Sequence, residues 1–370
     1  MNKTILYSSR AIIPSRKANS IHIMKMCSAF VDNGLSPILL CHKTKSFNIE
    51  TVFDEYGVRN RFKILTVPNL KFPFSSYLVA LIHLFYFLKY KPKYSFGRFF
   101  LGIFFISFFN NINSLELHQP IYGGLNIQHL MLKKLFKKKS FKKLILISNP
   151  LKEIFLNLYN IKPNNIKVLA DAADNPSTFY KNKIDYKSKP KVGYVGHLYK
   201  GRGIELIIKL AKDLPGIEFH IVGGNNSDIK RVKNEAVRLH NLKIHGYVKP
   251  SETESIRQSM NILIAPYQYK VGLSSGSMTT EKWMSPLKIF EYMASGRAII
   301  SSDIPVLKEV LIQDYNCLLC DPENHLDWKK NINKLINDED LLKKISSNAR
   351  NDFLKKYTWT MRAKKVFDQL

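Results

Sequence analysis

Three side chains in the stretch Ser285–Ser302, SPLKIFEYMASGRAIISS, have the types and spacing to hold a nucleotide. Ser285 and Lys288 stand at the start of a helical pattern. Free backbone N–H groups, the positive end of the helix dipole and an ammonium combine there into an anion seat. Glu291 falls on the same helix face as Lys288 and can accept hydrogen bonds from a diol. Phosphate on one side and ribose hydroxyls on the other describe a nucleotide. Both residues equally fit the solvated face of an ordinary α/β helix, so the stretch alone leaves two readings open. A second place for anion chemistry is the glycine-rich turn Gly196-His197-Leu198-Tyr199-Lys200-Gly201-Arg202-Gly203. Its glycines let the chain approach a pyrophosphate, which Arg202 can grip through two parallel hydrogen bonds. A third is Glu116-Leu117-His118, at the end of an apolar run, where open α/β sheets carry ligand-contacting residues.

The elements that must position these residues follow from the pattern. Pro286 fits a first helical turn, Leu287, Phe290 and Met293 keep helical spacing, and Gly296 stands where a C-terminal stop belongs. Ala298–Ser302 then reads as a buried parallel strand. The chain opens with a strand Thr4–Ser8, a polar loop Ser9–Ser20, a helix from about Ile21 to Asn33 and a strand Ser36–Cys41. That first strand-to-helix loop is a ligand position of doubly wound folds. Lys17, Asn19, Ser20 and His22 are its candidates for contacting an acceptor, and His22 equally fits a core-facing helix position. Strands at Phe62–Val67, Tyr94–Phe96, Ser114–Leu117 and Leu144–Ser148 alternate with helical patterns within Lys71–Tyr90, Arg98–Phe109, Leu130–Lys143 and Pro150–Tyr159. Polar Tyr180–Lys191 reads as a linker. Beyond it the alternation resumes with Val192–Val195, Glu218–Gly224 (a second strand-then-glycine turn, holding Gly223) and Asn261–Pro266. Val271–Thr280 reads as a flap, and Leu326–Ile336 and Glu339–Lys356 as closing helices. The expectation is an α/β chain of two Rossmann-like doubly wound domains.

At 370 residues, with 45% hydrophobic and 23% charged residues, the chain suits two globular domains. Its formal charge of +28 is uneven, since residues 1–150 hold 22 Lys+Arg against 5 Asp+Glu, a net +17. Such a field suits an anionic partner, whether nucleic acid, an acidic membrane or phosphorylated substrates. A general bias of the source proteome toward lysine would produce it equally. The apolar run Thr4–Ser8 is far too short for a signal peptide, and Tyr77–Leu88 and Phe99–Phe109 fall short of the ~20 residues a spanning helix needs. Tyr77–Leu88 with its basic end suits peripheral membrane attachment, and a helix packed beneath a sheet would look the same. The seven lysines between Lys133 and Lys143 read as solvated surface or as a contact for anionic lipid. Four cysteines make no disulfide framework for a cytosolic chain, and Cys317-Leu318-Leu319-Cys320 reads as the end of a buried strand rather than a redox pair.

The segment Ser285–Leu311, SPLKIFEYMASGRAIISSDIPVLKEVL, resembles the donor site of the family-4 retaining glycosyltransferases, two-domain enzymes of the GT-B fold. In that family a Glu-x7-Glu pair brackets the loop and the second Glu holds the nucleotide ribose. Glu291 matches the second. Trp283 stands in place of the first, with Glu281 out of register by two. The turn Gly196–Gly203 resembles the family's donor-phosphate loop, with His197 in place of its Arg and Arg202 in place of its Lys. His245-Gly246-Tyr247-Val248 is similar to the strand end that contacts the base, and Glu116-x-His118 to the motif whose His faces the transferred sugar. In the first loop Lys17-Ala18 replace a glycine pair. Asp171-Ala172-Ala173-Asp174 stands where the family has an Asn-Gly-Val-Asp turn, and it is not an Asp-x-Asp metal pair.

The resemblance implies an acceptor-binding domain over 1–180, a nucleotide-sugar domain over 190–355 and a helix at 356–370 crossing back to the first. It implies metal-independent transfer with retention, from a UDP- or GDP-linked sugar and with no cofactor. Catalytic roles fall to His118, Arg202 and Lys288. Donor contacts fall to Gly196, His197, Gly203, Gly223, Tyr247, Ser285, Pro286, Leu287 and Glu291. The acceptor would be lipid-linked or a glycan of a bacterial surface polymer, at the inner face of the cytoplasmic membrane. Two rivals remain. A GT-B-type sugar-nucleotide epimerase or hydrolase would need acid/base carboxylates, and of those in the first domain only Glu116 is at a strand end. A nucleic-acid-binding protein would explain the charge, but neither a helix-turn-helix nor a base-stacking module is visible.

Overall fold

The computed structural model describes residues 3–121, 126–176, 189–272 and 280–368. The chain divides into two compact units, Met1–Ala170 with Trp359–Leu370, and Asp171–Thr358. In the first unit seven strands, β1 (Thr4–Ile13), β2 (Ser36–Lys43), β3 (Lys63–Thr66), β4 (Tyr94–Gly97), β5 (Ile112–Leu117), β6 (Phe141–Leu146) and β7 (Ile166–Val168), form one parallel sheet. Their order is β3-β2-β1-β4-β5-β6-β7, so the winding reverses between β1 and β4. In the second unit β8 (Lys191–Val195), β9 (Glu218–Val222), β10 (Leu242–Gly246), β11 (Ile262–Ala265), β12 (Ala298–Ser302) and β13 (Leu318–Cys320) are also parallel, ordered β10-β9-β8-β11-β12-β13. Here the reversal lies between β8 and β11. Doubly wound sheets bind ligands at such reversals, outside the carboxyl ends of the strands.

Short apolar runs make these strands because both faces of a parallel sheet are covered. Every residue of β11 and β12 is buried. Their side chains join Tyr194, Phe219, Trp328 and Ile345 in one apolar cluster that fixes the second sheet against its helices. Cys317 and Cys320 are buried beside it, and burial pushes both thiols up, which suits packing and not redox exchange.

Several boundaries differ from the pattern. β1 runs on to Ile13, because Ile12 and Ile13 resume pairing with His42 and Lys43 after a register shift. The first helix starts at Ala18, ahead of Ile21, and the apolar stretch after Phe99 is helical only over Phe100–Ile106. The lysine-rich stretch is not one helix. It is helical over Asn126–Phe136 and then enters β6, where Phe141, Leu144 and Leu146 are buried and Lys142 is not. Pro286 is not inside the helix Leu287–Ser295 but is its N-cap, in extended conformation, while Gly296 closes that helix in the left-handed region at φ 62°. Most of the expected linker and flap lies outside the described residues.

Candidate active site

The second unit gathers its cations at the reversal between β8 and β11. Lys288, in the first turn of the helix Leu287–Ser295, is buried and lies against the turn that follows β8. A Cβ built on Gly196 would come 2.8 Å from its Nζ. The ammonium sits over two aromatic faces, 3.8 Å from the Tyr194 ring centroid and 5.0 Å from that of Tyr267. Arg202 reaches the same Tyr267 ring, 5.1 Å from its centroid. Among the described residues neither cation has a carboxylate in salt-bridge range. Burial and the Arg202 charge hold the Lys288 pKa well below its ordinary value, and Glu291 offsets them only in part. Two cations held together over one ring, without counter-charge, call for an anion.

Backbone shape brings the turns close. Gly203 heads the helix Ile204–Asp213 at φ 74°, and a Cβ there would meet the Pro266 carbonyl oxygen at 2.0 Å. Gly223, at φ 115°, packs its Cα on the Gly196 carbonyl, where a Cβ would fall 2.1 Å from the oxygen. Only glycine fits at either place, so the turn after β8 lies directly against Gly223 and Pro266. His197 stacks on Tyr199 at 4.9 Å, and the Tyr194 hydroxyl donates to the His197 carbonyl at 2.5 Å. His197 is an exposed residue; partial desolvation, then the Arg202 and Lys288 charges, lower its pKa, so the ring is a neutral donor or acceptor near neutral pH.

Glu291 has a partner that sequence reasoning missed. Arg257, buried on the helix Pro250–Gln258, donates from Nη1 to Glu291 Oε2 at 3.4 Å and from Nη2 to Glu254 Oε2 at 2.8 Å. The pairing aims Glu291 while leaving its side chain 35% exposed, free to accept from a diol. Its pairing with Glu254 is local, at i,i+3 spacing, but nothing local marks its bond to Glu291, 34 residues away. Ser285 accepts from the Asp171 backbone N–H at 2.8 Å, so its hydroxyl already holds the chain in place. Leu287 opens the helix, Glu281 accepts from the Val271 N–H at 3.1 Å, and Tyr247 is an exposed ring just past β10.

In the first unit the carboxyl end of β5 presents a buried ionic cluster. Glu116 is fully buried, with its Oε1 3.0 Å from His22 Nε2, 2.5 Å from His118 Nε2 and 2.8 Å from Arg362 Nη2. Burial alone would raise the Glu116 pKa, but Arg362, His22 and His118 hold it well below the usual carboxylate range. His22 and His118 meet edge to face at 4.7 Å, and Trp359 closes on His22 at 5.1 Å. His118 is the member with some access, its side chain 14% exposed against 2% for His22. Arg362 also donates to the Ala170 and Leu169 carbonyls, at 2.9 and 3.3 Å. Lys17 and Asn19 are exposed at the start of the first helix. Ser20 is not available to a ligand. It is buried and its hydroxyl closes the loop on the Ser15 and Lys17 carbonyls, both at 2.8 Å.

Residues 177–352 match the family model described as glycosyl transferases group 1. The matched residues fall within the second unit and make up just under half of the chain. Among curated proteins, a glycosyltransferase of Methanocaldococcus jannaschii is 32% identical to the chain over 199 residues, covering 51% of this chain and 48% of that protein. The chain spans about half the length of the curated relatives it matches. Among solved structures, a glycosyltransferase of Rickettsia africae superposes with a TM-score of 0.73 at 16% identity, over 99% of this chain and 97% of that one. The HepE protein of Anabaena, solved in complex with UDP and glucose, superposes with a TM-score of 0.70 at 13% identity, over 100% and 99%. These likenesses show the fold, two parallel-sheet Rossmann-like domains as in GT-B glycosyltransferases. The residues that match the family model include Lys288, Arg202 and Glu291.

Proposed function

We propose that this chain moves a glycosyl group from a nucleoside diphosphate sugar to a lipid-linked or glycan acceptor of a bacterial surface polymer, with retention at the anomeric carbon and without a metal ion. The observation that carries the reading is the pair Lys288 and Arg202, two cations over the Tyr267 ring at the β8/β11 reversal with no carboxylate in salt-bridge range among the described residues. As the glycosyl bond breaks, negative charge grows on the departing diphosphate. Preorganised cations at that place stabilise the transition state more than the ground state. The start of the helix Leu287–Ser295 adds its dipole. Glu291, steadied by Arg257, would hold the ribose, and His118, steadied by Glu116, would orient the sugar or its acceptor. The UDP and glucose bound by HepE favour a UDP-linked hexose as the first donor to try.

The epimerase or hydrolase reading is weaker for this geometry. It needs a carboxyl group that exchanges protons near neutral pH, and Glu116 is tied into ion pairs that keep it ionised. The test is a panel of nucleotide-sugars screened by thermal shift. A true donor at 100 times its Kd adds ~2.7 kcal/mol. The product's anomeric configuration is then read by NMR. A panel in which no nucleotide-sugar stabilises the protein, or a product of inverted configuration, would overturn the proposal.

A further inference from the structure

The helix Ser75–Tyr90 has two apolar faces, and only one is covered. Val79, Ala80, His83 and Phe87 are buried. Leu78, Leu81, Phe85 and Leu88 line the opposite face at helical spacing and are 43, 48, 59 and 46% exposed. The stripe extends toward the N-terminus through Phe72 and Phe74, which are 51 and 71% exposed. Single exposed apolar residues need no explanation, but a continuous stripe of six does. On the covered face Phe87 meets Phe109 at 5.7 Å, and the next residue, Phe108, is 62% exposed with the Lys138 ammonium 3.2 Å from its ring centroid.

Charge identifies what covers this face. From Lys63 to Lys143 the chain carries thirteen Lys or Arg and a single carboxylate, Glu116, which is fully buried. Lys71, Lys89, Lys91 and Lys93 flank the stripe, and Lys133, Lys134, Lys137 and Lys139 stand exposed around the Phe108 turn. A protein interface of ordinary kind has an apolar centre depleted in lysine. Apolar side chains bordered by lysines alone match a bilayer interface, with Leu and Phe at the acyl boundary and ammonium groups on the lipid phosphates. We propose that this face of the first unit docks on an anionic phospholipid bilayer, the Phe72–Leu88 stripe entering the headgroup region and the lysines neutralising its surface. The contact lies on the membrane and does not cross it. Among the described residues no helix is long and apolar enough to do so.

The surface makes no use of the donor site, so its test reads binding alone. The full chain is floated with vesicles of phosphatidylcholine, with and without phosphatidylglycerol, at ~0.1 M and ~1 M salt, where the Debye length falls from ~10 Å to ~3 Å. The wild type should float with phosphatidylglycerol vesicles, and a fraction should remain bound at high salt. Changing Lys133, Lys134, Lys137 and Lys139 to Gln should weaken partitioning ~10-fold or more at low salt. The triple variant Leu81→Ser, Phe85→Ser, Leu88→Ser should lose the salt-resistant fraction. Its melting curve reports whether it is folded, and the wild-type salt series decides the matter if it is not. Wild type that stays down with anionic vesicles at low salt overturns the proposal. So does a folded triple variant that floats as the wild type does at high salt. Wild-type dimers that the serine changes dissociate, without lipid binding, would assign the stripe to a second copy of the chain instead.

Discussion

Arg362 closes on Glu116 with Nη2 2.8 Å from Oε1 and Nη1 3.4 Å from Oε2, both side chains at most 2% exposed. The pair joins residues 246 apart, and it ties the C-terminal helix Trp359–Phe367 to the end of β5. His118 takes its orientation from the same carboxylate, so a helix at the far end of the sequence positions a side chain of the candidate site.

Arg362→Met should therefore destabilise the first unit by ~3–5 kcal/mol, because it leaves a buried carboxylate short of counter-charge. The pH dependence has a definite sign. Glu116 has its pKa depressed in the folded state, so its contribution is complete above the unfolded carboxylate value of 4.5 and is lost as pH falls below it toward the folded value. In the variant the folded value moves up toward the unfolded one, so the stability lost on acidification should shrink. Urea titrations from about pH 3 to about pH 7, across the carboxylate transition, check this. Equal midpoints for the two proteins at all pH values would disprove the linkage.

How far the sequence disclosed this arrangement depends on the range of each interaction. The strands around Lys288 and Gly196 were readable because burial on both faces imposes short apolar runs with glycine at their ends. Glu291 and Lys288 were readable because helix spacing is local. The bonds of Arg257 to Glu291 and of Arg362 to Glu116 were not, since each crosses tertiary structure, 34 and 246 residues apart in sequence. Ser20 misled for a similar reason. A serine in a ligand-position loop is equally a loop cap, and only the carbonyls of Ser15 and Lys17 decide between them. The lysines of 130–143 hid the start of β6, since Phe141 stands among Lys137–Lys139, Lys142 and Lys143 and the strand pattern shows only from Leu144.

Glu291→Ala should weaken nucleotide-sugar binding by ~10–100-fold, the loss of a charge-assisted hydrogen bond to the ribose, with little change in stability. Arg257 keeps Glu254 at 2.8 Å in that variant, so no buried charge is stranded. Arg257→Met removes the aim and not the acceptor, and should raise KM more mildly. Titration with UDP and with uracil alone separates the effects. Unchanged UDP affinity in Glu291→Ala would remove the ribose contact.

Transfer should continue in excess EDTA. In this reading Lys288 and Arg202 meet the charge that a divalent ion meets in other transferases, so chelation removes nothing the reaction uses. The comparison is turnover with EDTA against turnover with added magnesium or manganese. Activity that disappears on chelation and returns with metal would show that the cations alone are insufficient.

Lys288→Met should cut turnover ~100-fold or more while raising the melting temperature of the free protein. Burial and Arg202 depress the Lys288 pKa in the folded state, so the unfolded chain holds that proton more tightly. Stability therefore rises with pH between the folded value and the ordinary 10.5, and below that window the site opposes folding. Met fills the space between Tyr194 and Tyr267 without a charge, and each kcal/mol regained raises Tm by ~2–4 °C in a domain of this size. A diphosphate supplies the missing counter-charge, draws the pKa back up and makes binding at alkaline pH take up a proton. Calorimetric titration with UDP in buffers of different ionisation enthalpy reads that proton, and thermal shift reads the rest. The expected pattern is a Met variant that melts higher without UDP and gains little from it. A variant that melts lower, and is stabilised by UDP as fully as the wild type, would place the diphosphate elsewhere and leave Lys288 a packing residue.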